Sequence, residues 1–375
     1  MHALGYLVGK PTQFEGPFFQ FISRHEGRKG VRVYYFNQAG NEFTDEELDN
    51  HKKFSWGIDL MSGYDWELLS KTGVKKLNEI LSENTYLIVC GYTSPKVIKL
   101  MLLSKARGKK IGLRLDTVPW SNSTNAKRGL KKLLFRILNL IIDTYWVTGT
   151  KSKEYLHQLG IKDQKINIFS YVTDNDWFES YSNLSIPEIE KLKSRYQIPF
   201  SNRVIICIQK LVGRESPIDL IKAYTEIALQ DATLLIIGDG PDRSKLEEEA
   251  SRIESGKQII FAGYIPYVQL PIHYGIADLY VHTSADEPWG VSVQEAMACG
   301  LPVITSDYVG AGFDLIQEGK NGFRYAIGDV AELKYRIEKA LAFSSEEVKA
   351  VNRSVLEKWN YKSTWQRIAD HIKTV

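Results

Sequence analysis

Two carboxylates, Glu287 and Glu295, stand eight residues apart in the stretch Glu287-Pro-Trp-Gly-Val-Ser-Val-Gln-Glu295. Pro288 and Gly290 bar a continuous helix, so Glu287 is expected on a loop and Glu295 near the start of the helix that follows. Both would then face one cleft. Carboxylates at a loop-to-helix corner accept hydrogen bonds from the hydroxyls of a sugar or ribose, and the adjoining helix N-terminus offers N–H groups to an anion. Together these groups suit a nucleotide-sugar. A plainer pattern fits the same residues, because Ser292-Val-Gln-Glu295 also reads as a capping box in which Glu295 bonds the Ser292 N–H. On the two glutamates alone the capping box is favoured.

A diphosphate needs cations or N–H donors, and Lys210-Leu-Val-Gly-Arg214-Glu215 follows the first strand of the second half. Lys210 and Arg214 are the candidates, with a solvated loop as the plain alternative. Gly238-Asp-Gly240-Pro241 reads as a tight strand-to-helix turn, since a third glycine of a dinucleotide fingerprint is replaced by Arg243. Asp174-Asn-Asp176 reads as a turn rather than a metal site. Cys90, Cys207 and Cys299 lie far apart with no zinc spacing and are expected to be reduced thiols.

These groups need a frame. At 375 residues, 43% apolar and 25% charged, the chain suits two globular domains. In the first half, Leu4–Val8, Val31–Phe36, Tyr86–Cys90, Lys110–Leu115 and Tyr145–Thr148 read as short buried strands. The second half repeats the rhythm with strands at Arg203–Ile208, Thr233–Ile237, Gln258–Phe261, Leu279–Thr283 and Pro302–Ser306. Helices are expected at Pro217–Leu229, Asp242–Ile253, Val291–Ala298, Val330–Ala342 and Glu346–Trp359. The fold class is therefore α/β, with two doubly wound parallel-sheet, Rossmann-like domains facing a cleft, at 1–180 and 181–359, and a C-terminal helix at 360–375. The first apolar run is too short for a secretory signal and no stretch reaches the length of a spanning helix, so a cytoplasmic setting is expected.

The net charge of +3 conceals a local excess of +9 from Lys105 to Arg136. Across Ala126 to Ile142, Leu130, Leu133, Leu134, Ile137, Leu138 and Ile141 form one stripe, with Lys127, Arg128, Lys131, Lys132 and Arg136 largely off it. Either the stripe packs on the first sheet and leaves the lysines in water, or the face meets an anionic membrane surface at 126–142. Nucleic acid ranks last among the anionic partners and is not expected.

Several separated segments carry a family resemblance. Ala277-Asp-Leu-Tyr-Val-His-Thr-Ser284, then Glu287-Pro-Trp-Gly290, then Glu295-Ala-Met-Ala-Cys-Gly-Leu-Pro-Val-Ile304, then Gly310-Ala-Gly312 and Asn321-Gly-Phe323 resemble family-4 retaining glycosyltransferases of the GT-B fold. The resemblance implies a hexosyl- or related glycosyltransferase of the bacterial polysaccharide or envelope type, moving a sugar from a nucleotide-diphosphate-sugar, UDP or GDP, to a glycan or lipid-linked acceptor. By position it assigns Glu287 to the donor-sugar hydroxyls and Glu295 to the ribose. Backbone at Gly290 and Val291 approaches the sugar and phosphate, and Gly263-Tyr264-Ile265 lies along the base. Lys210 matches a phosphate-holding basic residue, while Glu215 departs from a second position that is usually lysine, which leaves Arg214 as its substitute. In the first domain, Lys10 and Gly16 lie in the loop that faces the diphosphate and acceptor, with a solvated loop as the alternative. Asp116 orients the acceptor or caps its loop, and Leu115 replaces a histidine found in many relatives. Trp289 covers the sugar or is a buried structural residue. The implied transfer is metal-independent and retaining, with Glu287, Lys210 and Asp116 as the catalytic candidates and no cofactor. A nucleotide-sugar epimerase of similar architecture is the alternative, and a nucleic-acid-binding protein a weaker one. Peripheral attachment to the inner face of a membrane accompanies the lipid-linked acceptor.

Overall fold

The structure is a computed structural model that describes all residues except 38–39, 46–48, 70–72, 121–124, 216, 253–256 and 375, and omits the side chains of 43–53, 125 and 126. Packing divides the chain into two compact units, one of Met1–Asn41, Ile58–Thr173 and Trp359–Val375, the other of Glu42–Gly57 and Asp174–Lys358.

The first unit is built on strands β1 (His2–Val8) and β2 (Val31–Tyr35). A hairpin of β3 (Glu42–Asp45) and β4 (Asp49–Ser55) interrupts it in sequence, and β5 (Asp65–Leu68), β6 (Asn84–Cys90), β7 (Ile111–Leu115), β8 (Thr144–Val147) and β9 (Ile166–Ile168) complete it. The sheet runs β5-β2-β1-β6-β7-β8-β9 with every pairing parallel. Parallel strands covered on both faces are mostly apolar, and β7 is buried along its whole length with Arg114 as its one charged residue. One face carries α2 (Val74–Glu83), α3 (Pro95–Ala106), α4 (Asn125–Leu138) and α5 (Thr150–Gln158), whose Leu77, Leu100, Phe135 and Leu156 share a core with β6 to β8. The other core is aromatic. There α1 (Glu15–Glu26) and a helix from the far end of the chain (Tyr361–Thr374) bring Phe18, Phe19, Tyr361 and Trp365 onto Tyr6, Trp146 and Phe169. Trp365 also donates to Glu26 across 2.8 Å.

The face that α4 buries differs from the expected one. Phe135 and Leu138 point inward, whereas Leu130, Leu133, Leu134 and Ile137 point out. Leu138 therefore belongs to the packed side rather than to the outward stripe. Lys131 also turns inward, donating to Thr117 Oγ1 at 2.7 Å with its ammonium 4.8 Å from the Tyr155 ring centre.

The second unit follows α6 (Asn175–Ser182) and α7 (Ile186–Arg195) with β10 (Arg203–Ile208), α8 (Ile218–Glu226), β11 (Ala232–Ile237), α9 (Arg243–Arg252), β12 (Gln258–Gly263) and α10 (Leu270–Gly275). Next come β13 (Leu279–His282), α11 (Val291–Ala298), β14 (Val303–Ser306), α12 (Ala311–Leu315), β15 (Gly322–Tyr325), α13 (Val330–Ala340) and α14 (Ser345–Leu356), after which the closing helix α15 (Tyr361–Thr374) returns to the first unit. The sheet order is β12-β11-β10-β13-β14-β15 and its pairs are parallel. Strand order reverses between β10 and β13, where the connections leave toward opposite sides and open a crevice at the carboxyl ends.

Two Rossmann-like α/β units are thus present. Strands β5, β9 and β15 and the hairpin extend beyond the sequence reading, and the end expected for α9, at Ile253, lies outside the described residues. Asp174 caps α6 by accepting from the Trp177 N–H at 3.1 Å, so Asp174-Asn-Asp176 opens a helix where a turn was expected. No helix among the described residues is long and apolar enough to cross a membrane.

Candidate functional site

The loops after β10 and β13 are stapled together at the reversal point. Gln209 donates to Thr283 Oγ1 at 3.2 Å and accepts from the Thr283 N–H at 3.3 Å. Ala285 N–H reaches the Arg214 carbonyl at 2.7 Å, and the Arg214 guanidinium reaches the Asp286 carbonyl at 3.2 Å. Glu215 turns inward. Its carboxylate accepts from the Lys210 backbone N–H at 3.2 Å and pairs with Arg214 at 2.7 Å, so it fastens the loop from beneath. Lys210 and Arg214 are both half-buried on this loop.

Across the crevice, Glu287 is fixed by its main chain. Its N–H donates to the Tyr308 carbonyl and its carbonyl accepts from the Gly310 N–H, both at 3.0 Å, and Ala311 N–H reaches the Trp289 carbonyl at 2.7 Å. The half-buried Glu287 carboxylate lies 3.4 Å from the Trp289 N–H. Trp289 itself is 1% exposed, which makes it a core residue. Gly290 caps α11 with φ +91°, and a Cβ there would stand 2.9 Å from Val309 Cγ1, so only glycine fits. Val291 and Ser292 then begin α11, where first-turn N–H groups lack intrahelical acceptors.

The capping box does not form. Ser292 Oγ instead accepts from the Tyr280 hydroxyl at 2.7 Å, and Glu295, 2% exposed, accepts from the Tyr274 hydroxyl at 3.1 Å. Burial pushes the Glu295 carboxyl up to about 8, against the opposing pull of that hydrogen bond. At neutral pH it is mostly protonated. Tyr280 is raised first by burial, with Cys207, Glu295 and Glu287 also acting on it, so both glutamates lie within electrostatic range of one hydroxyl. His282, at the end of β13, places Nδ1 2.9 Å from the Tyr280 hydroxyl oxygen, whose own proton goes to Ser292. Burial, with Arg214 nearby, lowers it to about 4, and its Nε2 is buried without a hydrogen-bond partner among the described residues. Gln209, Tyr274, Tyr280 and His282 are site residues to which the sequence assigned no role, although Tyr280 and His282 stand in the segment Ala277–Ser284. The β13 alternation placing residues 280 and 282 on one side was the available signal for the last two.

Beyond β12, Gly263 has φ +76° and its carbonyl accepts from the Gly238 N–H at 2.9 Å. Tyr264 packs its ring on Phe54 with centroids 5.2 Å apart and donates to the Ser55 carbonyl at 2.8 Å, while Ile265 is half-buried. Gly238 packs against the stapled loop, since a Cβ there would lie 1.9 Å from the Gln209 carbonyl oxygen.

In the first unit, Lys10 is exposed after β1, and Gly16 lies in α1 where a Cβ would approach the Leu60 carbonyl to 3.0 Å. Asp116 is exposed beyond β7 and accepts from the Tyr171 hydroxyl at 3.2 Å. Beneath it lies a buried ion pair missed in the sequence, Arg114 to Glu15 at 2.6 Å, with the guanidinium 4.0 Å from the Phe169 ring centre and 4.3 Å from that of Tyr171. Glu15 also accepts from the Tyr6 hydroxyl at 2.7 Å. No group of three His, Cys, Asp or Glu side chains with metal-holding geometry occurs among the described residues. A cavity of about 520 Å³ opens at the far end of α11, walled by Tyr274, Cys299, Lys349 and Arg353, away from Lys210 and Glu287.

Comparison with known proteins fits this geometry. Residues 188–354 match the model of the family described as glycosyl transferases group 1. That segment is thus similar to group 1 glycosyl transferases over somewhat less than half of the chain. Its bounds hold the stapled loops, both glutamates and α11. An alpha-monoglucosyldiacylglycerol synthase of Acholeplasma laidlawii is 29% identical over 144 residues, 38% of this chain and 36% of that protein. A GDP-mannose-dependent alpha-(1-6)-phosphatidylinositol monomannoside mannosyltransferase of Mycolicibacterium smegmatis is 27% identical over 192 residues, 48% of this chain and 50% of that protein. The chain thus spans about a third to a half of these curated relatives. Among solved structures, Anabaena HepE in complex with UDP superposes with a TM-score of 0.78 at 18% identity, over 100% of both chains. That likeness is one of fold and takes in the whole chain.

Proposed function

We propose that this protein is a family-4 retaining glycosyltransferase, moving a hexosyl or related sugar from a UDP- or GDP-sugar to a glycan or lipid-linked acceptor in polysaccharide or glycolipid synthesis. One observation carries the reading: at the strand reversal of the second sheet, Lys210 and Arg214 stand on one stapled loop, opposite Glu287 and the amino end of α11 on the other. The diphosphate takes its counter-charge from Lys210, Arg214 and the first-turn N–H groups, without a metal, each charge-assisted contact contributing about 1.5–3 kcal/mol. Glu287 holds donor-sugar hydroxyls, and Glu295, steadied by Tyr274, meets the ribose. Tyr264 and Ile265 flank the base, and Lys10, Gly16 and Asp116 serve the diphosphate and acceptor side. In the reaction the anomeric carbon loses its bond to the phosphate oxygen and gains one to the acceptor oxygen on the same face. The acceptor proton passes to the departing diphosphate. Protein groups act by positioning and electrostatics. The donor class is supported by Anabaena HepE, which shares the fold and has been crystallised with UDP and with UDP-glucose. A cytoplasmic site of action follows from nucleotide-sugar use.

Calorimetric titration with UDP and GDP tests the reading. Lys210→Ala is expected to weaken whichever diphosphate binds by about 10- to 100-fold, the equivalent of about 1.5–3 kcal/mol. Glu287→Gln is expected to retain nucleotide affinity and lose turnover. Equal nucleotide affinity in wild type and Lys210→Ala would overturn the assignment.

A further inference from the structure

We propose that the outward face of α4 docks on an anionic lipid surface. Leu130, Leu133, Leu134 and Ile137 recur at the spacing of one helical stripe, and Leu130, Leu133 and Ile137 are 69%, 54% and 53% exposed. Leu140, just past the helix, is 72% exposed. The anchoring side is separate, since Phe135 and Leu138 fill the core on the other flank. The outward leucines are thus not needed to hold the helix to its sheet.

Charge selects the occupant. The helix sequence contains no acid, and Lys132 and Arg136 are exposed along one margin of the stripe with Lys127 near the other. On the same side of the sheet α3 exposes Ile98 and Leu102 beside Lys99 and Lys105. A narrow apolar stripe bordered by cations is the arrangement of a helix lying in the plane of a bilayer interface, its apolar side among acyl chains and its cations among anionic headgroups. A second copy of the chain would set one basic margin against another, which disfavours self-association through this face. The inference deepens the proposed function by naming the surface on which a lipid-linked acceptor is met, and rests on that reading for the acceptor alone.

Co-sedimentation with sucrose-loaded vesicles tests it. Vesicles of 30% phosphatidylglycerol in phosphatidylcholine are compared with pure phosphatidylcholine at about 0.15 M salt. The full chain is expected to sediment with the anionic vesicles and not with the neutral ones. Leu133→Glu/Ile137→Glu and Lys132→Glu/Arg136→Glu are each expected to lower partitioning at least about tenfold. These positions are exposed, so circular dichroism and nucleoside diphosphate titration should match wild type. Absence of wild-type binding to anionic vesicles, or equal sedimentation of wild type and both variants, overturns the proposal. A wild-type dimer that Ile137→Glu converts to monomer, with no vesicle binding, overturns it in favour of self-association. Failure of wild type to bind UDP or GDP counts against the proposed function and leaves the vesicle result standing.

Discussion

Glu295 carries a proton that the unfolded chain would release, and this has a pH signature. Its folded value of about 8 stands above the ordinary 4.5, so between those limits the folded protein holds one proton more than the unfolded. Its contribution to stability is therefore fully present below about 4.5 and declines by about 1.4 kcal/mol per pH unit until about 8. Glu295→Gln does not titrate. Denaturant unfolding at pH 5 to 8 should show the variant gaining on wild type as pH rises, and a constant difference would refute the assignment. The Arg114–Glu15 pair makes a second expectation. Glu15→Gln leaves a buried cation poorly compensated and should lower stability by about 3–5 kcal/mol, whereas Glu15→Gln combined with Arg114→Met should recover much of that loss, as measured by unfolding midpoints. The two residues lie 99 positions apart and Tyr274 lies 21 from Glu295. Glutamate spacing was visible in the sequence, but these partners are supplied by packing, which local patterns do not report.

At the level of elements, the corner at Gly290 is tightly constrained, with φ +91° and Val309 against the place of a Cβ. Gly290→Ala forces a side chain into left-handed backbone and against Val309, and should destabilise by about 1–3 kcal/mol. Because the same turn presents the amino end of α11, UDP or GDP affinity measured by calorimetry should fall as well. An unchanged melting curve would show that the loop relaxes freely. Strand β10 and helix α11 have the bounds read from the sequence, since the apolar run of β10 gives way to Gln209-Lys210 and α11 lies between Gly290 and Gly300. Strands β5, β9 and β15 were not legible. Asp65-Trp-Glu-Leu68 is an alternating, partly exposed stretch on a sheet edge, and β9 has only three residues. The α4 stripe was visible as a period, but its orientation was not, because Phe135 competes with the leucines for the core and wins by volume and position.

For the whole molecule, two cores of their own imply two cooperative units rather than one. A nucleoside diphosphate held mainly by the second unit stabilises that unit by up to RT ln(1 + [L]/Kd), about 2.7 kcal/mol at one hundred times Kd. Calorimetric scans with saturating UDP or GDP should shift the transition of the second unit more than that of the first, to which only Lys10 and Gly16 are assigned on the diphosphate side. An equal or larger shift of the first unit would contradict a donor site centred on the β10–β13 crevice. The doubly wound plan was readable because buried parallel strands are nearly continuous apolar runs. The allegiance of 42–57 was not, since a short hairpin carries no mark of the unit it joins. The last segment, Trp359–Val375, has a different consequence. A ribosome finishes the second unit before making α15, so during synthesis the first unit waits with Phe18 and Trp146 uncovered by their final partner. Nascent chains stalled before residue 359 should accordingly recruit holdase chaperones through that aromatic surface, and release of the full chain should end the association.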